Sequence, residues 1–137
     1  MIKVLIADDH MLFRESLRCI IEGQEDMAVI AEAENGIYAV KQANRYRPDI
    51  ILMDVSMPEM DGINATLQIN SKFPEIKIIG LSSYSEEVYH EKMIEAGASG
   101  YLPKICGRKD LIDCIRSVLE TVSHVEGSTG DTAKPLC

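Results

Sequence analysis

A short apolar run followed by a helical pattern recurs five times along this chain, and few folds accept that alternation. The clearest run is Ile50-Ile51-Leu52-Met53, between Pro48 and Pro58. Four apolar residues in a row are too few for a free-standing helix and suit a strand buried on both faces. This run delivers one carboxylate, Asp54, to the start of a turn that continues Val55-Ser56-Met57-Pro58-Glu59-Met60-Asp61-Gly62. Residues 1–7 form a similar run that ends in Asp8-Asp9-His10.

In chain order, Phe13, Leu17, Ile20 and Ile21 make the apolar stripe of a first helix, with Gly23 as its stop. Residues 27–33 read as a second strand, Asn35-Gly36 as a turn, and 37–46 as a helix ending before Pro48. After the strand at 50–53, a helix carrying Ile63 and Leu67 runs to about Phe73, where Pro74 closes it. A fourth strand spans 76–81 and is followed by Ser82-Ser83. Ser85-Glu86-Glu87 then gives a capping signal for a helix to Ala96 whose stripe, Tyr89, Met93 and Ala96, is thin. Gly97 and Gly100 frame a short fifth strand, Tyr101-Leu102-Pro103, followed by Lys104. Leu111, Ile112, Ile115, Val118, Leu119 and Val122 give the strongest helical stripe, and from Ser123 onward the composition is that of a linker or tail.

Strands alternating with helices predict an α/β fold, a doubly wound five-stranded parallel sheet. The flavodoxin-like order 2-1-3-4-5 puts the fifth strand at an edge, where Pro103 is tolerated. That order makes the first and third strands neighbours. Asp8, Asp9 and Asp54 then meet at the switch point of the sheet, and Ser82 and Lys104 arrive on the same rim from the fourth and fifth strands.

With 137 residues, 46% apolar and 26% charged, the chain is one domain with an ordinary core. Its formal net charge of -8 opposes direct binding to nucleic acid, where affinity comes mainly from cations that neutralise phosphates. No run approaches the ~18 apolar residues of a membrane span, and Met1 opens onto a strand rather than a signal peptide. A soluble, cytoplasmic protein is expected. Cys19, Cys106, Cys114 and Cys137 show neither metal-ligand spacing nor a disulfide framework and read as incidental thiols.

Three carboxylates on one rim repel one another unless some are protonated or a cation holds them. Hard oxygen ligands favour magnesium or calcium, and magnesium keeps positions open for water and a phosphate. Asp54 can then act as nucleophile toward a phosphoryl group, with Lys104 and the cation on its equatorial oxygens and the Ser82 hydroxyl on one of them. Taken singly, an acid pair at a strand end is more often a turn, and Ser82 and Lys104 would be a turn residue and a solvated charge. Their order on successive strands raises them to a site. His10, just past a strand end, is expected to face solvent.

Asp8-Asp9, Asp54, Met57-Pro58-x-Met60-Asp61-Gly62, Ser82 and Tyr101-x-x-Lys104 resemble the receiver domain of bacterial two-component response regulators over residues 1–122. Asp-Asp-His-x-x-Phe-Arg-Glu and Gly97-Ala98-x-Gly100-Tyr101-Leu102 are similar to the NarL/FixJ (LuxR-type) class. The resemblance implies a signalling phosphoacceptor rather than an enzyme, with a histidine kinase as phosphodonor and magnesium as cofactor. Asp54 resembles the phosphoacceptor; Asp9, Asp54 and the Ser56 carbonyl resemble the magnesium shell, with Asp8 acting through water. Lys104 resembles the family's site lysine, Ser82 and Tyr101 its switch residues, and Ser56 and Tyr84 the pair that tunes hydrolysis.

The output face would comprise the fourth helix, fifth strand and fifth helix; dimers would form there or through the first and fifth helices. Class members usually carry a C-terminal helix-turn-helix, so residues 123–137 are expected to be the start of a linker, DNA contact belonging to an effector domain outside this chain. Many receivers have proline after the lysine; this chain has Ile105.

Other classes fit less well. A haloacid-dehalogenase-like phosphatase wants an acid two residues after the nucleophile, where Ser56 stands. A flavodoxin-type cofactor binder would meet repulsion between Asp8-Asp9 and its phosphate. A receiver-like module working unphosphorylated would not need the full acidic set.

Overall fold

The computed structural model describes residues 1–83 and 87–123, the side chains of 121–123 excepted. Five strands, β1 (Ile2–Ala7), β2 (Met27–Ala33), β3 (Ile50–Asp54), β4 (Lys77–Ser82) and β5 (Gly100–Pro103), alternate with five helices. These are α1 (Met11–Glu22), α2 (Gly36–Tyr46), α3 (Gly62–Lys72), α4 (Glu87–Ala96) and α5 (Arg108–Ser123). The strands form one sheet in the order β2-β1-β3-β4-β5, every pairing parallel, as the alternation predicted.

Alternate strand residues feed two cores, one on each face of the sheet. Val4, Ile6, Ile50, Leu52, Ile79 and Leu81 pack with Leu17 and Ile21 of α1 and with Leu111, Ile115 and Val118 of α5. Leu5, Ala7, Ile51, Met53 and Ile78 pack with Ala39 and Ala43 of α2, Ala65 and Ile69 of α3, and Met93 of α4. All five residues of β3 are buried, which explains its unbroken apolar run.

Local signals set the helix ends. The Asn35 side chain accepts the Tyr38 N–H at 2.9 Å and caps α2, so the Asn35-Gly36 pair predicted as a turn is the start of that helix. Arg47, left-handed at φ 48°, ends it before Pro48. Asp61 caps α3 by accepting the Asn64 N–H at 2.8 Å, and Phe73 ends it. Leu67, predicted on the buried stripe of α3, is 53% exposed; the packed face is Gly62, Ala65, Thr66 and Ile69, with Ile63 partly buried. Small residues win there because the facing α2 also presents alanines. Ser82 falls inside β4 rather than after it.

Cys19 and Cys106 are free, whereas Cys114, buried on α5, is disulfide-bonded and not the incidental thiol its spacing suggested; Cys137 lies outside the described residues. Tyr84, the Ser85-Glu86 cap and the tail from 124 onward also lie outside them. No helix among the described residues is long and apolar enough to cross a membrane.

Candidate functional site

Strand register brings the predicted residues to one rim. Ala7 pairs with Met53 and Asp54 with Leu81, so Asp8 follows β1 where Asp54 ends β3. Ser82 pairs with Pro103, and the Lys104 N–H donates to the Ser82 carbonyl at 2.8 Å. A cavity of about 120 Å³ opens at this rim, lined by Asp9, His10, Asp54, Ser56, Ser82, Ser83 and Lys104. A larger cavity of about 270 Å³ beside β2 offers no comparable chemistry, since its Arg14 and Glu32 satisfy each other at 2.9 Å.

Among the described residues the rim holds two buried acids and one lysine. The side chains of Asp8 and Asp54 are 1% and 4% exposed, and the Lys104 ammonium lies 2.7 Å from Asp8 Oδ2 and 3.2 Å from Asp54 Oδ2. Among the described residues, Asp8 Oδ2 is held by the Lys104 ammonium. Burial, and then repulsion from Asp8, push the Asp54 carboxyl up to about 6 against the opposing pull of Lys104. Burial works against the Lys104 charge, but the Asp8 and Asp54 carboxylates outweigh it and hold the ammonium above the usual lysine value. One cation for two buried acids leaves the cluster under-neutralised.

Carboxylate oxygens of Asp8, Asp9 and Asp54 and a ring nitrogen of His10 lie within 4.8 Å of one another, an acidic cluster that could hold a metal ion. The donors are mainly hard oxygens and fit a small divalent cation. His10, expected to face solvent, is 70% exposed along its side chain, yet its Nδ1 sits 3.3 Å from Asp8 Oδ1 and 3.2 Å from Asp9 Oδ1. The Ser56 N–H donates to Asp54 Oδ1 at 3.3 Å, and Ser56 itself is exposed at the cavity wall.

Backbone closeness explains the turn after Asp54. The Gly62 N–H donates to the Val55 carbonyl at 2.8 Å, and a Cβ on Gly62 would run into the Asp54 carbonyl oxygen. The Gly36 N–H donates to the Met60 carbonyl at 2.8 Å with as little room for a Cβ. Glycine at both positions lets the loop fold back against β3. No peptide among the described residues is cis, that before Ile105 included.

Tyr101 lies inward across Gly80, where a Cβ would meet Tyr101 Cδ1 at 3.0 Å and Met93 Cε at 2.8 Å. The His90 ring of α4 stacks on it, centroids 4.7 Å apart and planes within 4° of parallel. Its hydroxyl is buried and has no hydrogen-bond partner among the described residues.

Two supports escaped sequence reasoning. The Phe13 ring faces Lys104 Nζ at 4.7 Å from its centroid, although its spacing marked it only as core. Arg14 Nη1 donates to the Asp8 carbonyl at 2.7 Å while its Nε donates to Glu32 Oε1 at 2.9 Å. Burial alone would raise the Glu32 carboxyl, but hydrogen bonds from Arg18 and Arg14 hold it below the usual range. The available signal was position: both residues fall in the first turn after the Asp8-Asp9 pair, so α1 starts beside the rim.

The sequence family described as "Response regulator receiver domain" matches residues 4–116. The chain belongs to that family. Receivers are signalling phosphoacceptors rather than turnover enzymes. This receiver is similar to the transcriptional regulatory protein DegU of Brevibacillus brevis, 36% identical over 90% of this chain and 52% of the relative. A LuxR-family two-component response regulator from Aurantimonas sp. matches its fold with a TM-score of 0.82 at 32% identity, covering 86% of this chain and 84% of that one. CheY in a CheX-CheY-BeF3-Mg²⁺ complex from Borrelia burgdorferi matches with a TM-score of 0.81 at 27% identity, over 85% and 88% of the two chains. The LuxR-family likeness agrees with the class the sequence resembles. The receiver spans about half the length of the curated relatives it matches.

Proposed function

We propose that Asp54 accepts a phosphoryl group from a histidine kinase and that the modified receiver changes partners on the α4, β5 and α5 face. The observation that carries this reading is a buried Asp54 at a cavity mouth, facing Lys104 and sharing its surroundings with Asp8. An Asp54 oxygen attacks phosphorus, the bond to the donor breaks, and the electron pair leaves with the donor imidazole, which takes up a proton. Lys104 draws the phosphoryl oxygens toward β5, and the Ser82 hydroxyl bonds one of them.

Asp9, Asp54 and the Ser56 carbonyl would hold Mg²⁺ directly, with Asp8 contributing through water. The cation, when bound, offsets the excess negative charge on the acids and the incoming phosphoryl group. Support comes from the oxygen-rich donor set and from the Mg²⁺ named with the Borrelia CheY complex. By the family resemblance, Ser56 and Tyr84 set how fast water removes the phosphoryl group.

Ser82 and Tyr101 carry the switch. The Tyr101 hydroxyl has no partner among the described residues, which costs its inward position about 1–3 kcal/mol and favours a second, outward state. Output then passes through the α4, β5 and α5 face or through a dimer formed there or along α1 and α5. Such a receiver works in the cytoplasm and controls transcription through a helix-turn-helix domain beyond residues 123–137, which serve as the linker.

Intact mass with Mg²⁺ and acetyl phosphate tests the reading, with Asp54→Ala as control. A phosphoryl mass that needs both Mg²⁺ and Asp54 supports it, and a dimer appearing with the adduct assigns output to an interface between copies. A wild type that binds Mg²⁺ yet takes no adduct points instead to a module working unphosphorylated.

A further inference from the structure

Lys104 is the cation of the site, and a lysine side chain is long and flexible. Its ammonium is drawn by Asp8 and Asp54 at 2.7 and 3.2 Å, but two carboxylates on one side do not limit its movement away from the sheet rim. The side facing α1 is closed by Phe13, whose ring centroid is 4.7 Å from Lys104 Nζ. A cation within about 6 Å of a ring face is attracted to it, and the attraction strengthens where water is excluded. The Lys104 side chain is only 11% exposed, so water is largely excluded here.

The ring is itself fixed from two directions. Phe13 packs against the core between α1 and α5, and the next residue, Arg14, ties the same helical turn to the Asp8 carbonyl and to Glu32 on β2. One turn of α1 thus braces both sides of the Asp8 to Lys104 ion pair.

We propose that Phe13 is a positioning residue that holds the Lys104 ammonium against Asp54 and thereby sets the rate of phosphoryl uptake. It acts through Lys104 and does not touch the phosphoryl group. The inference rests on the phosphoacceptor reading above.

The test compares the wild type with Phe13→Leu, which keeps an apolar side chain without a ring face, and Phe13→Tyr, which keeps the ring. Uptake from acetyl phosphate is followed at limiting and saturating donor with Mg²⁺, and the Lys104 Cε methylene is followed by NMR. In the wild type that methylene is expected to be shifted upfield by the ring. Phe13→Leu is expected to lose the shift and slow saturated uptake three- to tenfold, with half-saturating donor and Mg²⁺ affinity within twofold. Phe13→Tyr is expected to restore both.

Should Phe13→Leu unfold, Phe13→Met serves in its place. A phosphorylated wild type whose rate Phe13→Leu matches overturns this inference alone. So does a Phe13→Tyr variant as slow as Phe13→Leu, because packing and not the ring face then sets the rate. A wild type with Mg²⁺ bound that takes no phosphoryl group overturns the phosphoacceptor reading and this inference with it, whatever the methylene shift.

Discussion

Opposing forces meet at Asp54. Burial and Asp8 disfavour its charge, Lys104 favours it, and the balance leaves the carboxyl near 6. A group that holds its proton more tightly folded than unfolded takes up protons on folding, so stability falls as pH rises from about 4 to about 6 and stays lowered above. A rise of about two pH units is on the order of 3 kcal/mol. In EDTA at pH 7.5, Asp54→Asn is therefore expected to be more stable than wild type by about 2–3 kcal/mol, with the gain vanishing below about pH 4. Urea melts across that range check it; a gain independent of pH would assign the effect to packing. Tyr101→Phe removes a buried hydroxyl without a described partner and is expected to raise stability by about 1 kcal/mol, read by the same melts. The sequence named the acids, Ser82 and Lys104 because order along the strands reveals them, and Tyr101 through the family resemblance. It placed Phe13 and Arg14 in a class motif but gave them no role at the site, because their spacing is also that of ordinary helix residues.

Among the elements, α4 is held by a narrow face. Met93 and Ala96 are its buried side chains; Met93 lies on Gly80 beside Tyr101, and its sulfur accepts the Thr66 hydroxyl of α3 at 3.9 Å. Met93→Ala is expected to cost about 2–4 kcal/mol and to speed hydrogen exchange in α4 before the central strands. Uniform acceleration across the sheet would contradict that local role. On α3 the sequence placed the helix correctly and its face only partly. Ile63 and Leu67 share a helical offset, but Ala65 and Ile69 pack in one core with the alanines of α2, and Thr66 reaches Met93 of α4. Leu67→Gln should accordingly change stability by no more than about 0.5 kcal/mol in thermal melts. Periodicity reports where apolar residues recur; it does not report how much room the neighbouring element leaves.

For the whole molecule, an acidic rim that takes up a cation would couple that binding to folding. A ligand bound only by the native state adds about 2.7 kcal/mol at a hundredfold excess over its dissociation constant. Mg²⁺ is expected to raise the melting temperature of the wild type and to have little effect on Asp9→Asn, as differential scanning calorimetry would show. The strand and helix order, the parallel sheet and the identity of the acids were determined by the sequence itself, because each rests on local periodicity and on residues at strand ends. Only the tertiary structure decided that Lys104 spans Asp8 and Asp54, that Phe13 and Arg14 brace that pair, that Tyr101 lies inward beneath His90, and that Gly62 lets the loop close on Asp54. Those relations join residues far apart in the chain, and their distances follow from strand register and packing, which no stretch of sequence encodes alone.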